Sequence, residues 1–423
     1  MTTPATSRTR ATPATTPATC RTPATTAAKT PPPDALALTL DPVGAPAFFA
    51  EHWERAPIVV ARAEPGRFDG ILSAADAERL VGATAIRSPA LRLVRDGAPL
   101  PLAGYTEDIP WRPGSFTGTA RIDRIAAEFS AGATIVLQAL QLHWHPAALY
   151  CRGLEQRLGF PVQANAYHTP AAAQGFAVHH DTHDVFVLQV AGRKRWRVYE
   201  PIVELPLKGQ RWSAELLDPG PPVADVILEA GDTLYLPRGW PHEAATTEGE
   251  SLHLTVGLHP PTRLDALRAA LDACGEDVAF RRAVGADGEV PAELLERLAE
   301  RLGPEEVAAR MRRRFVAGRR PVAADSLAQA RAADALDVHT ECERRPTVIA
   351  DLVSRTGALV LTFEGKEVRF PARAAAAVEA IHAAAGPFTP AGLPGPLDAA
   401  GRLVLVRRLV REGFVCVVGA EPG

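Results

Sequence analysis

Four apolar runs of strand length fall between residues 185 and 260, each closed by Gly, Pro or Asp: VFVLQV (185–190), RWRVYEP (195–201), ADVILEAGDTLYLP (224–237) and LHLTVGLHP (252–260). Short runs rich in Val, Leu, Tyr and Trp, punctuated by turn residues, read as strands. Several such strands in close succession give this part of the chain the profile of an all-β barrel. The stretch AGRK (191–194) predicts a hairpin between the first two runs. Helical patterning precedes them at PAFFAEHWERA (46–56) and HPAALYCRGLEQRLG (145–159), so residues 34–260 read as a β-barrel with helical decoration.

The period then changes. From 261 to 340 apolar positions recur at three and four residues in RLDALRAALDAC, PAELLERLAERLG, PEEVAARMRRRFV and DSLAQARAADAL, the pattern of amphipathic helices that pack on one another or on a partner. Residues 341–423 alternate again. LVLTFEGKEVRFP predicts a hairpin, ARAAAAVEAIHAAAG a helix, AAGRLVLVRRLVREG a second helix stopped by Gly413, and FVCVV a closing strand. That order is winged-helix-like. Its ten basic and nine acidic residues nearly cancel, which favours a packing or protein-contact role over DNA reading. Residues 1–33 form a Thr/Ala/Pro tract with no periodicity and no continuous apolar segment of a secretory signal, and are expected to be disordered.

A chain of 423 residues exceeds one compact core. With 47% hydrophobic and 22% charged residues and a net charge of −3, it has the composition of a soluble globular protein. It lacks the strongly basic balance of a protein that works mainly through nucleic acid, so direct nucleic-acid binding is not expected. No run approaches the length of a membrane-spanning helix. Five scattered cysteines form neither a disulfide framework nor a zinc ribbon, and the expected setting is reduced and cytoplasmic. Only four of the 46 basic residues are lysines, so a lysine at a suggestive position carries weight.

One such position lies in FAVHHDTHDVFVLQVAGRKRWRVYEP (176–201). On a strand, His179 and Asp181 share a face and can occupy two adjacent positions on a metal. A third ligand, His242, stands 61 residues beyond Asp181, just past an apolar strand and a Gly/Pro turn. Two histidines and one carboxylate on one face of an octahedral ion leave positions free for a chelating cosubstrate and O2, the arrangement of non-haem Fe(II) oxygenases. A cosubstrate with two carboxylates needs a cation deeper in the barrel. Lys194 is placed to supply it, with Trp196 walling the same cavity. An isolated H-x-D is usually structural; the distal His242 in a β-rich context is what raises it to a site. His180 should point away from the ligand face, His253 should be a pocket residue, and Asp184 should orient a neighbour or cap a turn. A metal-binding cupin without oxygenase activity is the non-enzymatic alternative.

These segments resemble the JmjC-type ribosomal oxygenases of the cupin superfamily, the bacterial branch in particular. FFAEHWERAPIVVAR (48–62) is similar to the family's opening segment, NAYHTP (165–170) to its N-x-Y-x-T-P strand, LPRGWPHEA to its distal-histidine turn and ESLHLTVGL (250–258) to the strand that follows. The resemblance implies a mainly β plus α protein. A double-stranded β-helix (JmjC/cupin barrel) would be followed by a helical dimerisation segment and a C-terminal winged-helix-like module, the whole forming a homodimer. It implies Fe(II) on His179, Asp181 and His242, with 2-oxoglutarate as cosubstrate, its distal carboxylate on Lys194 and Tyr167 and Asn165 lining its pocket. Gly257 departs from the pattern, because some relatives carry Ser there and one cosubstrate hydrogen bond is then replaced or absent. The connection from His242 to the next strand is also short. The implied activity is hydroxylation of an Arg or His side chain in a ribosomal protein. The same chemistry on a peptide or small-molecule natural product is the alternative, and nothing in the sequence supplies the methylammonium cage of a demethylase.

Overall fold

In the computed structural model, residues 34–213, 219–286, 288–355 and 357–420 are described; the predicted Thr/Ala/Pro tail lies outside them. Thirteen strands precede the helical segment: β1 (Ile58–Val60), β2 (Leu91–Arg95), β3 (Ala98–Pro99), β4 (Thr106–Trp111), β5 (Gly114–Ala120), β6 (Thr134–Leu137), β7 (Val162–Thr169), β8 (Asp184–Gly192), β9 (Lys194–Val198), β10 (Ala224–Leu228), β11 (Thr233–Leu236), β12 (His242–Ala245) and β13 (Ser251–Leu258). Eight of them form one sheet in the order β1-β11-β8-β13-β7-β6-β2-β3, and a three-stranded sheet, β10-β9-β12, lies against it.

The reason VFVLQV reads as an unbroken apolar run is visible in β8. Phe186, Leu188 and Val190 face a core outside the barrel, whereas Val185 and Val187 face the core between the two sheets with Trp196, Val198, Leu228, Leu234 and Leu236. A central strand covered on both faces needs no polar alternation. The outer core is closed by helices α1 (Ala35–Leu40), α2 (Ala45–Glu51), α3 (Ala74–Ala83), α4 (Ile122–Ser130) and α5 (His145–Leu158), which contribute Leu36, Phe48, Leu80, Ile125, Tyr150 and Leu154. Both helices expected before the barrel are present.

Two local expectations are corrected. The AGRK segment is not a hairpin turn: β8 pairs with β11 and β13, and β9 with β10 and β12, so the chain crosses here from one sheet to the other. Both neighbours of β8 are already taken, which leaves no edge onto which β9 could fold back. Nor do His179 and Asp181 lie on a continuous strand. The segment from 171 to 183 crosses the barrel mouth, and its pairing with the strands is limited to isolated bridges, Gln174 to Ala245 and His179 to His242.

Beyond the barrel come α6 (Arg263–Ala273), α7 (Ala292–Arg301), α8 (Pro304–Ala317) and α9 (Ser326–Ala335). The last part holds β14 (Cys342–Arg344), β15 (Ala350–Arg355), β16 (Ala358–Phe363), β17 (Lys366–Pro371), α10 (Ala375–Ala383), α11 (Ala399–Glu412) and β18 (Val415–Val417). The expected hairpin is β16–β17, extended by β15 into a three-stranded sheet, and α11 ends at Gly413 with φ 87°. A β-carbon is disfavoured at that left-handed cap. This region has its own core, in which Val348, Leu361, Phe363, Val378, Val406 and Phe414 pack with Leu336 at the end of α9.

Candidate metal centre and its cavity

The barrel mouth brings His179, Asp181 and His242 together, with one ligand atom from each lying within 4.8 Å of the others. The two imidazole centroids are 4.6 Å apart, and His242 Nε2 is 3.9 Å from Asp181 Oδ2. Backbone contacts set this spacing. His179 and His242 exchange hydrogen bonds, and the Gly239 N–H donates to the Asp181 carbonyl at 3.0 Å.

The ring orientations are fixed from behind. Nδ1 of His179 is 2.8 Å from the Ala177 carbonyl, and Nδ1 of His242 is 3.0 Å from the Trp240 carbonyl. A carbonyl only accepts, so each Nδ1 carries a proton, and Nε2 is the ring nitrogen left to face the site. Burial, and then the neighbouring His179, push His242 down to about 4, which leaves it neutral near pH 7. Burial works to raise the Asp181 carboxyl, but His183, His242 and His179 around it draw it below the usual carboxylate range. Two imidazoles and an ionised carboxylate on one side of a cavity are a donor set that fits a divalent ion with open positions.

The cavity runs inward from the triad between the two sheets, past Tyr167, Val185, Val187, Trp196, His253 and Thr255 to Lys194. Lys194 is 2% exposed and donates to Thr169 Oγ1 at 3.0 Å. Burial alone pushes its ammonium down to about 7. Trp196 Nε1 and His253 Nδ1 are also buried, and neither has a partner among the described residues. Buried polar groups left unpaired are costly. A cavity holding a desolvated ammonium and two orphaned ring nitrogens is therefore suited to an anionic, hydrogen-bonding guest.

Tyr167 lies in this wall, stacked on His253 at 4.9 Å with a 5° interplanar angle, and burial raises its hydroxyl to about 12. Asn165 is not among the lining residues; its side-chain carbonyl accepts the Ala139 N–H at 2.8 Å. His180 packs away from the ligands, with Nε2 3.1 Å from the Gln210 carbonyl and its ring 5.4 Å from Trp212. Asp184 orients its neighbours, accepting the Tyr235 hydroxyl at 2.9 Å. At Gly257 a β-carbon would come within 3.2 Å of His259 Nε2 and 3.3 Å of His183 Cε1, so these two histidines fill the space of a side chain there. Sequence reasoning missed Thr134, Thr169 and Thr255. Thr255 could have been found, since it is two residues from His253 on one strand face.

Fold and site define a double-stranded barrel protein whose mouth presents an open two-histidine, one-carboxylate ligand set. Residues 140–266 match the JmjC domain family model. Ribosomal oxygenase 1 of Gallus gallus is 34% identical over 253 residues, 57% of this chain and 40% of the relative. Ribosomal oxygenase 2 of Rattus norvegicus is 31% identical over 276 residues, 61% of this chain and 57% of the relative. The chain thus spans less than two thirds of these curated relatives. The X-ray structure of E. coli ycfD superposes with a TM-score of 0.55 at 19% identity, covering 88% of this chain and 97% of that one, a likeness of fold. Residues 140–266 thus carry the JmjC domain pattern, and the chain is similar to ribosomal oxygenases over 57% to 61% of its own length.

Proposed function

We propose that this protein is an Fe(II)- and 2-oxoglutarate-dependent oxygenase that hydroxylates a protein side chain, an Arg or His residue in a ribosomal protein. The observation that carries the reading is one cavity with a two-histidine, one-carboxylate triad at its mouth and a buried, singly partnered lysine at its inner end. Solved E. coli YcfD, described as a ribosomal oxygenase, has been captured with cobalt and 2-oxoglutarate at 20% identity and a TM-score of 0.51, which is in keeping with it.

When bound, Fe(II) with 2-oxoglutarate supplies O2 activation for insertion of oxygen into an unactivated C–H bond. The chain's own part is to hold and shield. His179, Asp181 and His242 would ligate the metal, their rings fixed by the Ala177 and Trp240 carbonyls. Lys194 would pair the distal carboxylate, and Trp196, Val185 and Val187 would keep water from the inner cavity. Tyr167, together with His253 stacked on it, would line the cosubstrate's flank. We assign Asn165, which sits outside the lining, a supporting role through the Ala139 backbone.

In this reading, residues 34–260 are the oxygenase barrel, 261–340 the helical dimerisation segment of a homodimer and 341–423 a winged-helix-like module. Exposed Leu267, Leu271 and Leu295 on α6 and α7 support the second assignment. Some relatives are named as bifunctional lysine-specific demethylase and histidyl-hydroxylase, including one from Drosophila persimilis at 32% identity over 227 residues. We favour hydroxylation, because the names of both groups of relatives include an oxygenase or hydroxylase activity.

The test is anaerobic reconstitution with Fe(II), followed by succinate release from 2-oxoglutarate in wild type, His179→Ala and Asp181→Ala. Turnover abolished in both variants, with a +16 Da product on a ribosomal protein, supports the reading. A purified protein that carries zinc and binds no 2-oxoglutarate overturns it.

A further inference from the structure

The turn leading to His242 and the strand that follows Asp181 are tied by a buried ion pair. Arg238, 8% exposed, places Nη1 3.1 Å from Asp184 Oδ2, and the same nitrogen contacts the Glu54 carboxylate. Asp184 is fully buried. Its Oδ1 accepts the Tyr235 hydroxyl at 2.9 Å and the Arg238 N–H at 3.4 Å. The Tyr235 hydroxyl in turn accepts the Glu54 N–H at 3.0 Å, which closes the network on the chain segment after α2.

The placement of these groups is what gives the network a further meaning. Asp184 is three residues past Asp181, and Arg238 four residues before His242. Between them, the Gly239 N–H holds the Asp181 carbonyl at 3.0 Å. The segments bearing the ligands are otherwise irregular, since 171–183 makes only isolated bridges and 237–241 is a turn. Backbone hydrogen bonds hold these segments at single points, and the apolar packing around them is non-directional. A guanidinium between carboxylates fixes both distance and direction.

We propose that Arg238 is a positioning residue for the metal centre. Through Asp184 and Glu54 it acts with the backbone bridge to hold the separation at which Asp181 and His242 share one ion. The proposal rests on the metal-site reading above and adds to it a residue that touches neither metal nor substrate.

The test uses the full chain with Arg238→Lys, Arg238→Met and Asp184→Asn. Asp184→Asn keeps the side-chain volume and an acceptor for Tyr235, so it guards against simple misfolding of the Arg238 variants. Thermal unfolding of the metal-free proteins gives stability. Co(II) titration, by calorimetry and by visible ligand-field absorption, gives affinity and coordination geometry. The expected result is a Co(II) Kd raised about tenfold or more, with altered ligand-field bands, in every variant that still folds. Folded variants with the wild-type Kd and spectrum, whatever their melting temperature, overturn the positioning role alone. A wild type that binds no Co(II) overturns the metal-centre reading and this proposal with it.

Discussion

His179 and His242 face each other through a reciprocal pair of backbone hydrogen bonds: the His242 N–H donates to the His179 carbonyl at 2.8 Å, and the His179 N–H to the His242 carbonyl at 3.2 Å. The bridge joins a loop across the barrel mouth to the first residue of β12, and side chains take no part in it. Ligand placement and ligand chemistry are therefore separable at this site. His179→Ala should abolish divalent-metal binding in calorimetry while changing the stability of the metal-free protein by less than about 1 kcal/mol in urea unfolding. A loss of several kcal/mol would show that the ring itself holds the mouth together.

Lys194 gives the site a pH dependence with a definite sign. Burial pushes its ammonium down to about 7, so above that pH the free protein holds a neutral amine. A dicarboxylate binds the protonated form, and binding draws a proton from solution. Affinity for 2-oxoglutarate in the Co(II)-loaded protein should fall as pH rises above this value, with a limiting slope of about tenfold per pH unit. Calorimetry in buffers of different ionisation enthalpy should register the proton uptake. An affinity that rises with pH would be incompatible with this role.

Lys194→Met separates binding from stability. The substitution removes a buried, poorly compensated cation and keeps most of its volume, so the metal-free protein should be as stable as wild type or more so. Its 2-oxoglutarate affinity should fall by about 100-fold, the loss of a desolvated ion pair worth roughly 3 kcal/mol. Equal affinity in wild type and variant would remove Lys194 from the cosubstrate site.

Gly192, at the crossover between sheets, has φ 69°, and a β-carbon there would lie 1.9 Å from the Glu250 carbonyl oxygen. Neither the backbone nor the contact admits a side chain. Gly192→Ala should cost more than about 2 kcal/mol in chemical denaturation. A cost below that would mean that β8 and β13 can separate locally at little expense.

Arg152 joins the barrel to the C-terminal module. Its guanidinium lies 3.1 Å from Glu155 and 3.3 Å from Glu364, and the Arg152 and Glu364 side chains are each 3% exposed. It also donates to the Thr347 and Arg320 carbonyls. Arg152→Met leaves the buried Glu364 carboxylate without this guanidinium and should destabilise the protein by about 3–5 kcal/mol. Restoration of most of that loss by Glu364→Gln in the same chain would identify the uncompensated carboxylate as its source.

How much of this was legible beforehand depends on the range of the interaction. The apolar runs of β8, β11 and β13, the helical period after residue 261 and the Gly413 stop are recorded in neighbouring residues, and each is found where its pattern lies. The ligand triad was legible because its residue types are rare in combination, even though the continuous strand invoked to align His179 and Asp181 does not form. The AGRK segment misled because Gly-containing turns look alike whether a strand folds back on its neighbour or leaves for another sheet. Strand pairing, which decides between the two, is absent from local sequence.

The sequence by itself determined most element types and the candidate ligand residues, because side-chain period, turn residues and metal-ligating chemistry act over a few residues. Tertiary structure alone decided which atoms meet. It closed the mouth with the His179–His242 bridge, desolvated Lys194 beside Thr169, bonded the Asn165 side chain to the Ala139 backbone and set Arg238 between Glu54 and Asp184. The physical reason is that burial and long-range pairing depend on the whole packed barrel, in which residues more than a hundred positions apart, such as Glu54 and Arg238, share one dry environment.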